Sequence, residues 1–99
     1  MSRVQLSSTI ARSQSQISTH LNSEVIILGL ASQEYYSLDG VGARIWELLE
    51  EPRTVPVLVE VLLQEYDVTR ERCTADLLAL VQELADAGCI EVAHDTTRL

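Results

Sequence analysis

The chain has 99 residues, 46% of them hydrophobic but without a single Phe, and fifteen Asp plus Glu against seven Arg and no Lys give a net charge of −8. A chain of this length builds one domain that buries about 60–65% of its unfolded surface, which excludes a multi-domain enzyme, and the composition excludes a disordered chain and a collagen-like one. The charge argues against nucleic acid, which is bound mainly by cations that displace phosphate counterions, and no apolar run approaches the ~20 residues of a membrane span.

Residues 1–23 differ in kind from the rest. They hold seven of the nine Ser, two of the seven Arg and no acid, so the remaining five Arg face all fifteen acids. Residues 1–10 read as a frayed N-terminus and no signal peptide. The domain is expected to span residues 11–92. Ile17, Thr19 and Leu21 alternate with polar neighbours, which predicts a first, edge strand. After the turn pair Asn22-Ser23, the run Val25-Ile26-Ile27-Leu28 is β-branched, too short for a helix and bounded by Gly29, and so predicts a second strand. Glu34-Tyr35-Tyr36-Ser37-Leu38 follows as a shorter third strand, completing an antiparallel meander with residues 24–30 in the middle.

After Asp39-Gly40 the period changes from two to 3.6. Val41, Ile45, Leu48 and Leu49 share one face of a helix that Asp39 can cap and Pro52 ends, with Trp46 beside the stripe. Thr54 caps a second helix with Pro56 in its first turn; Val57, Leu58, Val59, Val61, Leu62 and Leu63 make it apolar on most sides, as for a helix packed on both. Tyr66-Asp67-Val68 connects to a third helix, capped by Thr69 and running from Arg70 to about Ala87. Cys73, Leu77, Leu80, Val81 and Leu84 form its stripe, and Gly88 stands at the left-handed position past its end. Cys89 to Val92 alternates as a short extended segment that packs back on the core. Residues 93–99 are expected to be loose. The fold class is α+β, a winged helix-turn-helix: a three-stranded meander, three helices and a short C-terminal extended segment.

No catalytic constellation is present. His20 and His94 lie in polar stretches near the ends with no Cys or carboxylate at ligand spacing. Cys73 and Cys89 match no zinc pattern and read as buried small apolar residues of a reducing compartment. Gly40 and Gly42 open a helix without the further glycines and Lys of a phosphate loop, so they read as a tight turn and close packing. Glu47, Glu50 and Glu51 form a solvated acidic rim. No metal and no cofactor is implied, and binding is a better reading than catalysis. A DNA-binding regulator would place the third helix in the major groove, but Arg70 and Arg72 are outweighed there by Glu71, Asp76, Glu83 and Asp86. A peptide-recognition module fits better. The third strand has a free edge beside the third helix, where an extended peptide can add as a further strand with alternate side chains entering the crevice.

The run from Glu34-Tyr35-Tyr36-Ser37-Leu38-Asp39-Gly40-Val41-Gly42-Ala43-Arg44-Ile45-Trp46 to Glu47-Leu48-Leu49 resembles the first half of the PqqD-like family. Arg53-Thr54-Val55, Glu65-Tyr66-Asp67-Val68, Asp76-Leu77-Leu78, Glu83-Leu84 and Gly88-Cys89-Ile90-Glu91-Val92 are similar to its second half. The departures are Val57, where many relatives are acidic, and Cys89, where Leu is usual. The resemblance implies a recognition element for the leader peptides of ribosomally made, post-translationally modified peptides. It further implies strand addition at the third strand against the third helix, and thus a site of Glu34, Tyr35, Tyr36, Ser37, Leu38, Asp76, Leu77, Leu80 and Leu84. A stand-alone chain of this length looks most like the small leader-binding subunit of lasso peptide pathways, a cytoplasmic protein that presents the precursor to a separate cysteine protease and an ATP-dependent macrolactam synthetase. A similar small protein serves pyrroloquinoline quinone biosynthesis beside a radical-SAM enzyme, and periodicity does not separate the two.

Overall fold

The computed structural model describes Val4 and residues 7–93. The elements run β1 (Thr9–Arg12), β2 (Gln16–Leu21), β3 (Glu24–Gly29), β4 (Tyr35–Leu38), α1 (Gly40–Leu48), β5 (Arg53–Thr54), α2 (Val55–Glu65), α3 (Arg70–Asp86) and β6 (Ile90–Ala93). The expected meander is β2-β3-β4, antiparallel throughout, with β3 central. Its register pairs Ile17 with Leu28 and Leu28 with Tyr35 in one row, and Ser18 with Ile27 and Ile27 with Tyr36 in the next. Alternation then sorts the side chains. Val25 and Ile27 are fully buried with half-buried Tyr36 and Leu38 on the same face, while Ile17, Leu21 and Tyr35 stand exposed on the other. The β2–β3 turn needs only Asn22-Ser23, because Asn22 takes φ 61°, a left-handed conformation that Asn tolerates.

A second three-stranded sheet, β5-β1-β6, lies outside the sequence expectation. The frayed end does not extend to Ile10: Thr9 and Ile10 pair with Thr54 and Arg53 on one side and with Ala93 and Val92 on the other, and Ile10 is fully buried. Ala93 likewise belongs to β6 rather than to a loose end. The rest of the expectation for 93–99, His94 included, lies outside the described residues, as does most of that for 1–6. Arg12 ties this sheet to α1. Its guanidinium donates to the Trp46 carbonyl from Nε (3.2 Å) and Nη2 (2.6 Å) and stacks 4.7 Å from the Trp46 ring centroid. Trp46 is itself fully buried and its indole N–H donates to Ser18 Oγ (3.3 Å), so one side chain links α1 to both sheets.

The helices follow the sequence closely. Thr69 caps α3 by accepting from Arg72 N (3.2 Å), whereas Asp39 and Thr54 occupy their cap positions without a side-chain bond. Past α3, Gly88 takes φ +79° and the chain closes a Schellman motif: Gly88 N donates to Ala85 O (3.0 Å) and Cys89 N to Leu84 O (2.9 Å). Only half of the expectation for α2 holds. Val55, Leu58, Val59 and Leu62 are buried, but Val57 is 44% exposed, so the helix packs on one side and shows apolar surface on the other. Between helices and sheets lies an aliphatic core in which both cysteines are buried as free thiols.

Candidate functional site

β4 is an edge strand: among the described residues it pairs with β3 alone. Its side chains divide by pleat. Tyr35, 73% exposed, and Ser37 turn outward; Tyr36 and Leu38 turn toward the helices. The Tyr36 hydroxyl donates to Glu34 Oε1 (3.0 Å), which pushes the phenol above the usual tyrosine range, with burial and the charge of Glu34 acting in the same direction. Ser37 Oγ donates to Glu24 Oε1 across the sheet (3.4 Å).

The second wall is α3, with Gly42 of α1 between it and the strand. Gly42, in the first turn of α1, lies where a Cβ would stand 3.6 Å from Leu38 and 3.8 Å from Leu80 Cδ2. Gly42 and Leu80 also line an apolar cavity of about 190 Å³, which Leu38 does not, so this three-residue junction is the passage between the strand and the cavity. Ile45, Leu62, Cys73 and Leu77 form its buried lining, with Val41, Tyr66, Val68 and Leu80 nearer the surface and the ion-paired Arg72 and Asp76 (3.1 Å) at the rim. A cavity of roughly 150 Å³ holds a benzene ring, so this one has room for one large apolar side chain.

The site residues expected from sequence fall as follows. Leu77 and Leu80 line the cavity with Asp76 on its rim, Leu38 packs at Gly42 beside Leu80, and Tyr36 lies on the helix-facing side of β4 without lining the cavity. Glu34 precedes β4 and holds the Tyr36 hydroxyl, and Tyr35 and Ser37 lie on the edge with outward side chains. Leu84 is fully buried in the core and is not among the residues that line this cavity. Val41, Tyr66 and Val68 were not foreseen. They come from a helix start and an interhelical turn, and the signal available was only that large apolar residues at such ends are exposed, Val41 by 39% and Val68 by 42%.

Chemically the arrangement suits binding. Burial pushes both thiols above the usual cysteine range, which disfavours the thiolate. Among the described residues no group of three or more His, Cys, Asp or Glu is placed to hold a metal ion, and His20 stands 3.7 Å from Glu47 on the surface. No helix among them is long and apolar enough to cross a membrane. What the site offers is an open strand edge, an apolar cavity beside it and an acidic surround.

Residues 24–90 match the family model for coenzyme PQQ synthesis protein D (PqqD). The chain belongs to the PqqD family. Two PqqA binding proteins of Rhodopseudomonas palustris, from strains HaA2 and TIE-1, are each 29% identical to it over 68 residues, covering 69% of this chain and 67% of theirs. Among solved structures, TbiB1 in complex with the TbiA(beta) leader peptide superposes with a TM-score of 0.76 at 36% identity, over 82% of this chain and 94% of TbiB1. A lasso peptide synthetase B1 complexed with the leader peptide gives a TM-score of 0.73 over 83% and 96% of the two chains, and at 23% identity it shows the shared fold alone. The PqqD-family match begins at Glu24, so β1 and β2 lie before it.

Proposed function

We propose that this PqqD-family chain is a non-catalytic leader-peptide-binding protein that recruits a ribosomally made precursor to its maturation enzymes. The observation that carries the reading is the open edge of β4 beside the Leu38–Gly42–Leu80 passage and its cavity. An extended leader segment adds as a strand to that edge and lowers an apolar side chain into the cavity. The likeness to TbiB1, 36% identical over nearly its whole length, favours a lasso peptide pathway. The enzymes served are then a separate cysteine protease that removes the leader and an ATP-dependent macrolactam synthetase, all in the cytoplasm. The PqqA binding proteins support a second reading, a peptide chaperone beside a radical-SAM enzyme, at lower identity and over a smaller share of the partner chain.

The test uses a labelled TbiA(beta) leader peptide and fluorescence polarisation. The parent should bind it. Leu80 is half-buried at the cavity, unlike Leu77 and Leu84, so Leu80→Glu should fold and yet weaken binding by roughly 2 kcal/mol, about thirty-fold, by placing a charge at the apolar passage. Unchanged affinity in a Leu80→Glu variant that melts normally would move the site off this face of α3.

A further inference from the structure

Two main-chain bonds decide which groups on β4 an added strand can reach. Gly29 N donates to Glu34 O (3.0 Å), and on the other side of β3 Leu30 N donates to Ser15 O (2.9 Å). Within a strand, the N–H and C=O of one residue point to one side and those of the next residue to the other. Gly29 and Glu34 continue the register that pairs Leu28 with Tyr35 and Ile27 with Tyr36. The hydrogen-bonded pairs between β3 and β4 are therefore Gly29 with Glu34, Ile27 with Tyr36 and Val25 with Leu38. The Leu30–Ser15 bond gives the same answer independently: Leu30, Leu28 and Ile26 turn toward β2, which leaves Gly29, Ile27 and Val25 for β4. Tyr36 and Leu38 thus spend their main-chain groups on β3, and the N–H and C=O of Tyr35 and Ser37 point away from the sheet across the open edge.

We infer that Tyr35 and Ser37 are the two residues whose main chain bonds an incoming peptide strand, and that this sets the class of peptide the edge accepts. The inference rests on the leader-binding reading above and deepens it. Peptide residues directly opposite Tyr35 and Ser37 supply the bonding groups and carry their side chains on the outer face, next to the exposed Tyr35 ring. Peptide residues opposite Tyr36 and Leu38 turn their main chain away and their side chains inward. The one beside Leu38 meets Gly42, Leu80 and the mouth of the cavity. The accepted peptide is therefore an extended segment with no proline at two positions two residues apart, because both N–H groups are needed. An apolar residue sits at the neighbouring inward position, facing the cavity. This register is that of a peptide running antiparallel to β4; a parallel one would bond Tyr35 and Ser37 through the residues opposite their neighbours instead.

Residue-resolved amide exchange by NMR tests this first on the free protein. Tyr36 and Leu38 should be protected, and Tyr35 and Ser37 should exchange about ten-fold or more faster. The reverse order overturns the assignment with no peptide involved. Adding the TbiA(beta) leader peptide should then slow exchange at Tyr35 and Ser37 and leave Tyr36 and Leu38 as they were. Ser37→Pro removes an N–H that the sheet does not use, so the variant should stay folded and bind about five-fold more weakly for the lost bond. Leu38→Pro removes a ladder bond and should lower the melting temperature. Binding that leaves Tyr35 and Ser37 exchanging freely overturns strand addition while leader binding stands. No binding at all overturns the leader reading itself, and those two failures are told apart by the polarisation signal.

Discussion

Two glycines at the start of α1 should respond oppositely to the same methyl group. Gly40 takes φ +54°, a conformation that costs an L side chain about 1–2 kcal/mol, and an added Cβ there would meet nothing within 4 Å to offset the strain. Gly42 has no such φ, and its added Cβ would sit at 3.6–3.8 Å from Leu38 and Leu80, ordinary van der Waals contact. Replacing a helical Gly by Ala there should gain about 0.5–1 kcal/mol, chiefly by restricting the unfolded chain. For a domain of this size each kcal/mol moves the melting temperature by roughly 4–8 °C, so Gly42→Ala should raise it by about 3–6 °C and Gly40→Ala should lower it by about 5–10 °C. Gly42→Leu goes further. Its side chain should fill the passage into the 190 Å³ cavity and weaken TbiA(beta) leader binding by about ten-fold or more, since an apolar anchor can no longer enter. Calorimetry reads the first pair and fluorescence polarisation the last. A destabilised Gly42→Ala would refute the packing argument, and a folded Gly42→Leu that binds as the parent does would refute the role of the passage.

Arg12→Ala should cost about 2 kcal/mol in urea denaturation, the low end for a charged donor, because the Trp46 carbonyl keeps its bond from Leu49 N (3.1 Å); a loss under about 0.5 kcal/mol would show that β1 is held by its sheet pairing alone. Arg44 donates twice to Glu65, at 2.9 Å from both Nε and Nη2, and these bonds hold the Glu65 carboxyl below the usual glutamate range against a smaller opposing effect of burial. A carboxyl depressed in the folded state stabilises fully above its unfolded pKa and loses that contribution as pH falls through the lowered folded value. Glu65→Gln should therefore melt lower at neutral pH and flatten the acid limb of the stability curve; parallel acid limbs for the two proteins would contradict the ion pair.

What was legible in the sequence was local. Val25-Ile26-Ile27 signals a strand by itself, Thr69 and Gly88 bracket α3, and the turn at Asn22-Ser23 sets the β2–β3 register. β1 was not legible. It has four residues, only Ile10 among them is buried, and its partners stand more than forty residues away in β5 and about eighty away in β6. No window along the chain contains that pairing. The same reason divides the candidate site. Leu77 and Leu80 announce themselves by helical spacing and Tyr36 and Leu38 by strand alternation, but the cavity that Leu77 and Leu80 line is completed by Val41, Tyr66 and Val68, which share no period. Leu84 fits the helical stripe as well as Leu80 does. Only the three-dimensional packing tells the core residue from the one at the opening.

A winged helix-turn-helix is commonly a frame for presenting its last helix to DNA, and the placement of charge shows why this copy is not built for that. Four acids lie on α3, and its two arginines are already engaged: Arg70 with Glu60 (2.6 Å) and Arg72 with Asp76 (3.1 Å). Cys73, Leu77, Val81 and Leu84 turn into the core, which leaves Leu80 on an intermediate face toward β4. A helix so arranged repels phosphate and offers an apolar flank. That flank has a use only if something lies between it and the strand edge. A peptide main chain is suited to the place, since it can satisfy the outward N–H and C=O groups of Tyr35 and Ser37 on one side and set its inward side chains against Leu80 on the other.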